Sequence, residues 1–356
     1  MKGFNLKVRG KVLYSVPIAI ASSALAVSVI APQIARASTS TLAPVSPEQL
    51  VSWIQAAHPI SLNGTVTGIT SFPIPLPSLV KSSNPQSALG GSTTETYNVW
   101  SNGRGSFRSQ QVTNGGETDL YVNPGSVWYW NSSTLTATNE TRSGWSGGQS
   151  GVQATGSNPS ATASEIVSRL SAFSTLSVSG SQMVAGRPAY TLSLTPTAAD
   201  SLIGSVQIAI DGETHVPVQI QVFPKGSSTP AASFGFNTLT VAPQPTSVFS
   251  FTPPAGAKVV EPSTQVPTAS AQGTSKAASG NKIVGTGFDS VAVIGLSAKQ
   301  LSGIGAIEKS LPAVATPVGV GYLYSTPIFQ AVILPNGTVV AGAVETARIM
   351  QVISGL

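Results

Sequence analysis

Gly186-Arg-Pro-Ala-Tyr-Thr-Leu-Ser-Leu-Thr-Pro196, Val206-Gln-Ile-Ala-Ile-Asp211, Val216-Pro-Val-Gln-Ile-Gln-Val-Phe223 and Phe249-Ser-Phe-Thr-Pro-Pro-Ala-Gly256 form the stretch from which the fold is read. Tyr190, Leu192 and Leu194 alternate with small polar residues; so do Val206, Ile208 and Ile210, and then Val216, Val218, Ile220 and Val222. A period of two gives each segment one apolar and one polar face, the pattern of strands buried on one side. Asp211-Gly212 and Pro224-Lys225-Gly226 supply turn chemistry between them, so consecutive strands join as antiparallel hairpins. A sheet with one continuous apolar face has to cover that face with another layer.

The order and wording of these segments resemble the LolA-type lipoprotein carriers and the related N-terminal domain of RseB/MucB-type sigma-factor regulators. The resemblance is carried by the Gly-Arg-x-Ala-Tyr opening of one strand, a strand ending in Asp, a Pro-led strand and a closing Phe-x-Phe-x-Pro-Pro-x-Gly, and it runs from about Glu48 to Val260. It implies a mainly β (α+β) fold: a curved antiparallel half-barrel sheet with two helices in its concavity, and an apolar cavity for acyl chains or similar lipid groups.

Ser46-Pro47-Glu48-Gln49 has the signature of a helix start: a Ser cap, Pro at the first position and Gln in the capping-box place. Leu50, Trp53, Ile54 and Ala57 follow on one helical face. Glu165 to Phe173 repeats the geometry with Ile166, Val167, Leu170 and Phe173. In the resembled fold two such helices enter the concavity. Strands are expected near residues 62–69, 94–100, 105–112, 118–122, 126–130 and 134–141, with reversals at Asn102-Gly103 and Asn123-Pro124-Gly125. Trp128, Tyr129 and Trp130 are the densest aromatic cluster; core packing weighs more than ligand contact, about two to one. Periodicity within the resembled fold nominates Trp53, Val66, Ile166, Leu170, Leu192, Ile208 and Ile220 as walls of a lipid-binding opening. The Pro-interrupted stretch with Phe72, Ile74, Leu76 and Leu79 can form neither ladder nor helix, yet it is too apolar for a solvated loop. It reads as a lid or mouth, or equally as a loop packed on the rim.

Lys2, Lys7, Arg9 and Lys11 precede an apolar run from Val12 to Ile30 and an Ala35-Arg36-Ala37 end, the pattern of a secretory signal cleaved near Ala37 rather than of a retained anchor. The expected location is secreted or extracytoplasmic, at the cell envelope. Five of the 18 basic residues and none of the 13 acidic ones lie before that point, leaving 13 of each sign. The net charge of +5 therefore belongs to the leader, and nothing points to nucleic acid as a partner. Charged residues make up only 9% of the chain, against about a quarter in typical soluble domains, so recognition by charge is disfavoured. Residues 261–281, without apolar periodicity, read as a flexible linker. Residues 282–356 read as a small α+β domain: a strand over 283–294, one or two helices over 298–310, strands near 319–324, 328–334 and 338–343, and a helix over 345–353. Asn336-Gly337 makes the hairpin.

Catalysis has no visible carrier. There is no cysteine, and the only histidines, His58 and His215, sit at a helix end and in a turn without spaced partners. Asp211, Glu213 and His215 alternate, but Gly212 makes a turn of them rather than a metal-binding strand face. No metal or cofactor is expected, and no enzyme. The sequence reading is a non-enzymatic carrier or sensor of lipid or lipoprotein acyl chains, akin to an outer membrane lipoprotein-sorting protein. Its alternative is an RseB-like protein–protein module acting on an envelope anti-sigma factor, a membrane-protein partner.

Overall fold

The computed structural model describes residues 42–70, 93–140, 158–261, 281–296 and 311–356. The expected signal segment, the lid stretch with Phe72, Ile74, Leu76 and Leu79, nearly all of the expected linker and the expected helix over 298–310 lie outside them.

Helix α1 spans Pro47–Ala56, with Ser46 Oγ accepting from the Gln49 N–H at 3.2 Å. A meander follows: β1 (Ser61–Thr70), β2 (Thr93–Asn102), β3 (Phe107–Thr113), β4 (Gly116–Asn123), β5 (Ser126–Asn131) and β6 (Thr136–Asn139). Helix α2 (Pro159–Leu170) precedes a second meander: β7 (Ser174–Val184), β8 (Arg187–Pro196), β9 (Ile203–Asp211), β10 (Pro217–Pro224) and β11 (Ala232–Val241). Strand β12 (Lys258–Val260) completes an open, curved sheet of order β12-β6-β5-β4-β3-β2-β1-β11-β10-β9-β8-β7. The two meanders are fused where β1 pairs antiparallel with β11. Only β12 on β6 is parallel among the described pairs.

Several elements depart from the sequence reading. Helix α2 starts six residues before Glu165, because Asn158 caps it through its side chain and Pro159 sits at its first turn. Its first turns are Ser, Thr and Ala, too weakly apolar to show a period. Strands β7 and β11 were not read at all. In β7 only Leu176 and Val178 keep the alternation, and in β11 an irregularity opposite Thr65 and Val66 interrupts it. Phe249 lies in a short 3₁₀ turn (Thr246–Phe249), and Phe251 stacks on Tyr121 at 4.9 Å and packs near Trp128 and Trp130. Two of the three clustered aromatics, Trp128 and Trp130, thus pack with Phe251.

A second, six-stranded sheet comprises β13 (Lys282–Val284), β14 (Val291–Gly295), β15 (Ala313–Thr316), β16 (Gly319–Ser325), β17 (Gln330–Ile333) and β18 (Thr338–Gly342), backed by α3 (Thr346–Ser354). The single strand expected over 283–294 is two, split by a 3₁₀ turn at Gly287–Asp289. Gly287 has a φ of 55°, and a Cβ there would collide with Phe173 of the first sheet's layer, so only glycine fits. The turn aims Phe288 into the core that α1 and α2 form on the first sheet. Around it the Leu202 N–H donates to the Ala343 carbonyl, the Glu345 N–H donates to the Asp200 carbonyl (each 2.8 Å), and Lys225 pairs with Glu345 at 3.0 Å.

Candidate functional site

The candidate site is the apolar face of β7–β11. Hairpin registers align its side chains in rows: Val178, Leu192, Ile208, Ile220 and Phe234 make one rung, and Leu176, Leu194, Val206 and Val222 another. Such rows present a continuous oily surface. Helices α1 and α2 lie on it through Leu50, Ile54, Ala163 and Val167, all at most 1% exposed. Among the described residues, the hydrogen bonds and ion pairs of α1 and α2 stay within the helices and their caps, as with Arg169 and Glu165, except that the Ser174 hydroxyl at the start of β7 donates to the Leu170 carbonyl at 2.8 Å. Hydrophobic contact and Trp53 hold them down.

Of the residues nominated as walls, Trp53, Ile166, Leu170, Leu192, Ile208 and Ile220 come together in this one cluster. Val66 belongs to a second cluster with Leu62, Val99, Val184, Ala189, Ala209, Val218 and Phe236. Its members run through neighbouring strands from β7 and β8 (Val184, Ala189) by way of Ala209, Val218 and Phe236 to Val66 on β1 and Val99 on β2. Val218 is there because the β10 register slips between Pro217 and Gln219, turning it away from Ile220's face. Val66, Leu192 and Ile208 have no exposed area. A side chain lining a water-sized void would keep some, so helix side chains fill the hollow over Leu192 and Ile208, and the other members of the second cluster bury Val66.

An open groove of about 300 Å³ lies beside the filled region, lined by Trp53, Ala56, Ala57, His58, Ile60, Thr214 and His215. It unites the only two histidines of the chain, which the sequence left without partners. No signal in the sequence joins a helix end to a turn so distant. His215 is left-handed, with a φ of 57°, and its ring stacks on Trp53 at 3.7 Å and 7°. The turn is pinned by Asp211, whose side chain is fully buried. Arg187 donates to its two carboxylate oxygens at 2.6 and 2.9 Å, and the Thr214 N–H and hydroxyl donate at 2.8 and 2.7 Å. Burial pushes the Asp211 carboxyl up, but bonds from Arg187 and Thr214 outweigh it and hold the group below its ordinary value. Asp211 and Glu213 both engage Arg187 while His215 engages Trp53, so the three do not converge. No group of three metal-ligating side chains occurs among the described residues.

A second Arg–Asp pair, Arg108 with Asp119 at 2.8 Å, is built differently. Arg108 Nε and Nη2 both donate to Asp119 Oδ1, Oδ2 has no hydrogen-bond partner among the described residues, and burial raises the carboxyl's pKa despite Arg108. Arg108 also lies over the Trp100 and Tyr121 rings at 5.0 and 4.7 Å. Asp119→Asn is therefore expected to change stability at neutral pH by less than about 1 kcal/mol. Between the ordinary carboxyl pKa and the raised folded one, wild-type stability should fall as pH rises, a slope the variant lacks. A urea-midpoint loss of several kcal/mol would contradict this.

No family model matches the chain, and no curated protein does. Among solved structures, Pseudomonas aeruginosa MucB in its complex with MucA is 15% identical, covering 86% of this chain and 95% of that one at a TM-score of 0.40. Mycobacterium tuberculosis lipoprotein LppX is 13% identical over 56% of this chain and 97% of that one at 0.28. A LolA superfamily protein from Nitrosomonas europaea is 10% identical over 58% and 99% at 0.26. At these scores nothing about function follows from them. The open curved sheet and the two short helices on its apolar face match the mainly β half-barrel with two helices in its concavity that the sequence resemblance implies.

Proposed function

We propose that this protein is an exported, non-enzymatic carrier or sensor that takes acyl groups of lipids or lipoproteins onto the apolar face of β7–β11, displacing α1 and α2. The observation that carries this is the covering itself: two helices of 10 and 12 residues held to the sheet by apolar contact, with a single side-chain hydrogen bond among the described residues, from the Ser174 hydroxyl to the Leu170 carbonyl where α2 runs into β7. Apolar contact is non-directional, so an acyl chain can replace a helix face with similar gain. Each methylene contributes roughly 0.8 kcal/mol, and a sixteen-carbon chain on the order of 12 kcal/mol before ordering costs. Export rests on the basic-then-apolar N-terminal pattern.

The test is native mass spectrometry on protein purified without detergent, with hydrogen exchange before and after adding lipid. Bound or exchangeable acyl lipid is expected, together with faster exchange in α1 and α2. Absence of both would refute the proposal.

The second reading, an RseB-like module contacting an envelope anti-sigma factor, draws support from the attachment of the second sheet through Phe288, which ties a separate surface to the covered face. In vivo crosslinking to a membrane protein that persists in Leu192→Asn would favour it over the carrier.

A further inference from the structure

We propose that the groove beside the Trp53–His215 stack is the entry for acyl cargo and the seat of its head group, and that it selects a neutral, single-chain acyl ester. This rests on the carrier reading and specifies where and how the cargo enters. The groove lies where the two apolar clusters meet: of its lining residues, Trp53 packs on the first cluster and Ile60 on the second. Trp53 separates the groove from the filled hollow. One face of its ring stacks on His215, and the ring tilts against Tyr190 of the core at 5.6 Å and 55°. A chain that slides past Trp53 reaches the Tyr190–Leu192 end of the rows directly.

The lining also points to the head group. His58, His215 and Thr214 offer hydrogen bonds, and among the described residues the lining holds no Asp, Glu, Lys or Arg to demand a formal charge. The groove sits at the C-terminal end of α1, whose carbonyl ends disfavour an anion. An ester carbonyl with hydroxyls beside it satisfies imidazole donors without that penalty.

Because the chain has no other histidines, histidine-ring NMR reports on this groove alone. Full-length protein with ring-labelled histidine is titrated with monododecanoylglycerol below its micellar concentration. Monoacetylglycerol serves as the chainless control and dodecanoate as the anionic one, with native mass spectrometry on the same samples. Both histidine signals are expected to shift saturably with monododecanoylglycerol, more weakly with dodecanoate and not with monoacetylglycerol. Ala56→Phe, which fills the groove from an exposed position, should weaken binding by about tenfold or more without loss of fold. A lipid adduct that leaves both signals unmoved overturns the entry site and spares the carrier function. No adduct and no shift overturns both. Shifts as large with monoacetylglycerol, or tighter binding of dodecanoate, overturn the proposed selectivity.

Discussion

Phe288→Ala should lower the stability of the first sheet by about 3–5 kcal/mol, although Phe288 belongs to the second. The ring is 4% exposed and shares a cluster with Leu192, Leu194, Ile208 and Val167, so truncation opens a cavity under α2. The chain reports this cleanly, since all five tryptophans (Trp53, Trp100, Trp128, Trp130 and Trp145) precede the second sheet. Urea unfolding followed by tryptophan fluorescence should show a midpoint shift of the full size. If fluorescence unfolds as in the wild type while only the β13–β18 region is lost, Phe288 is not part of the first core.

Asp211→Asn should cost about 3 kcal/mol or more at pH 7, because at this fully buried position an amide N–H2 would face donors of Arg187 and Thr214, and Arg187 would keep only its exposed partner Glu213. The contrast with Asp119→Asn separates two ion pairs of the same composition. Asp211 has both oxygens engaged by donors and a lowered pKa, whereas Asp119 has an orphan oxygen and a raised one. The sign follows from the folded state holding Asp211 ionised more firmly than the unfolded state does. Its contribution is complete above the unfolded pKa near 3.9 and disappears as pH falls through the lower folded value. The stability difference between wild type and Asp211→Asn should therefore shrink below about pH 4. A difference that stays constant down to pH 2 would show that the variant acts by disturbing packing. Because Asp211 also pins the turn that holds His215, the variant should broaden the His215 ring signal at neutral pH.

Where side-chain alternation is unbroken, the sequence is transparent. β8, β9 and the start of α1 fall where Tyr190–Leu194, Val206–Ile210 and Ser46-Pro47 place them. Where a bulge intervenes it misleads: Val218 reads as a neighbour of Ile220 and belongs to the other cluster. Strand β11 was invisible for the same reason, despite being the strand that unites both meanders. At the site, six of the seven nominated wall residues do share one cluster: the helical period selects Trp53, Ile166 and Leu170, and period two selects Leu192, Ile208 and Ile220, whereas Val66 on β1 joins the other cluster. What periodicity cannot see is how far helices fill a concavity, which depends on side chains from α1, α2 and Phe288 meeting over it. Nor can it bring His58 to His215, which only the docking of α1 on the β9–β10 turn achieves.

The pairing of β1 with β11 has a consequence for the life of the chain before it folds. Residues 62–70 wait for partners at 232–241, so the inner edge of the first meander stays unpaired until most of the polypeptide has emerged. Such a high contact order means slow, late closure with a sticky strand edge exposed meanwhile. A route that keeps the polypeptide threaded and unfolded until it is delivered whole would spare it that hazard, and cytosolic synthesis without such handling should yield aggregates built on β1.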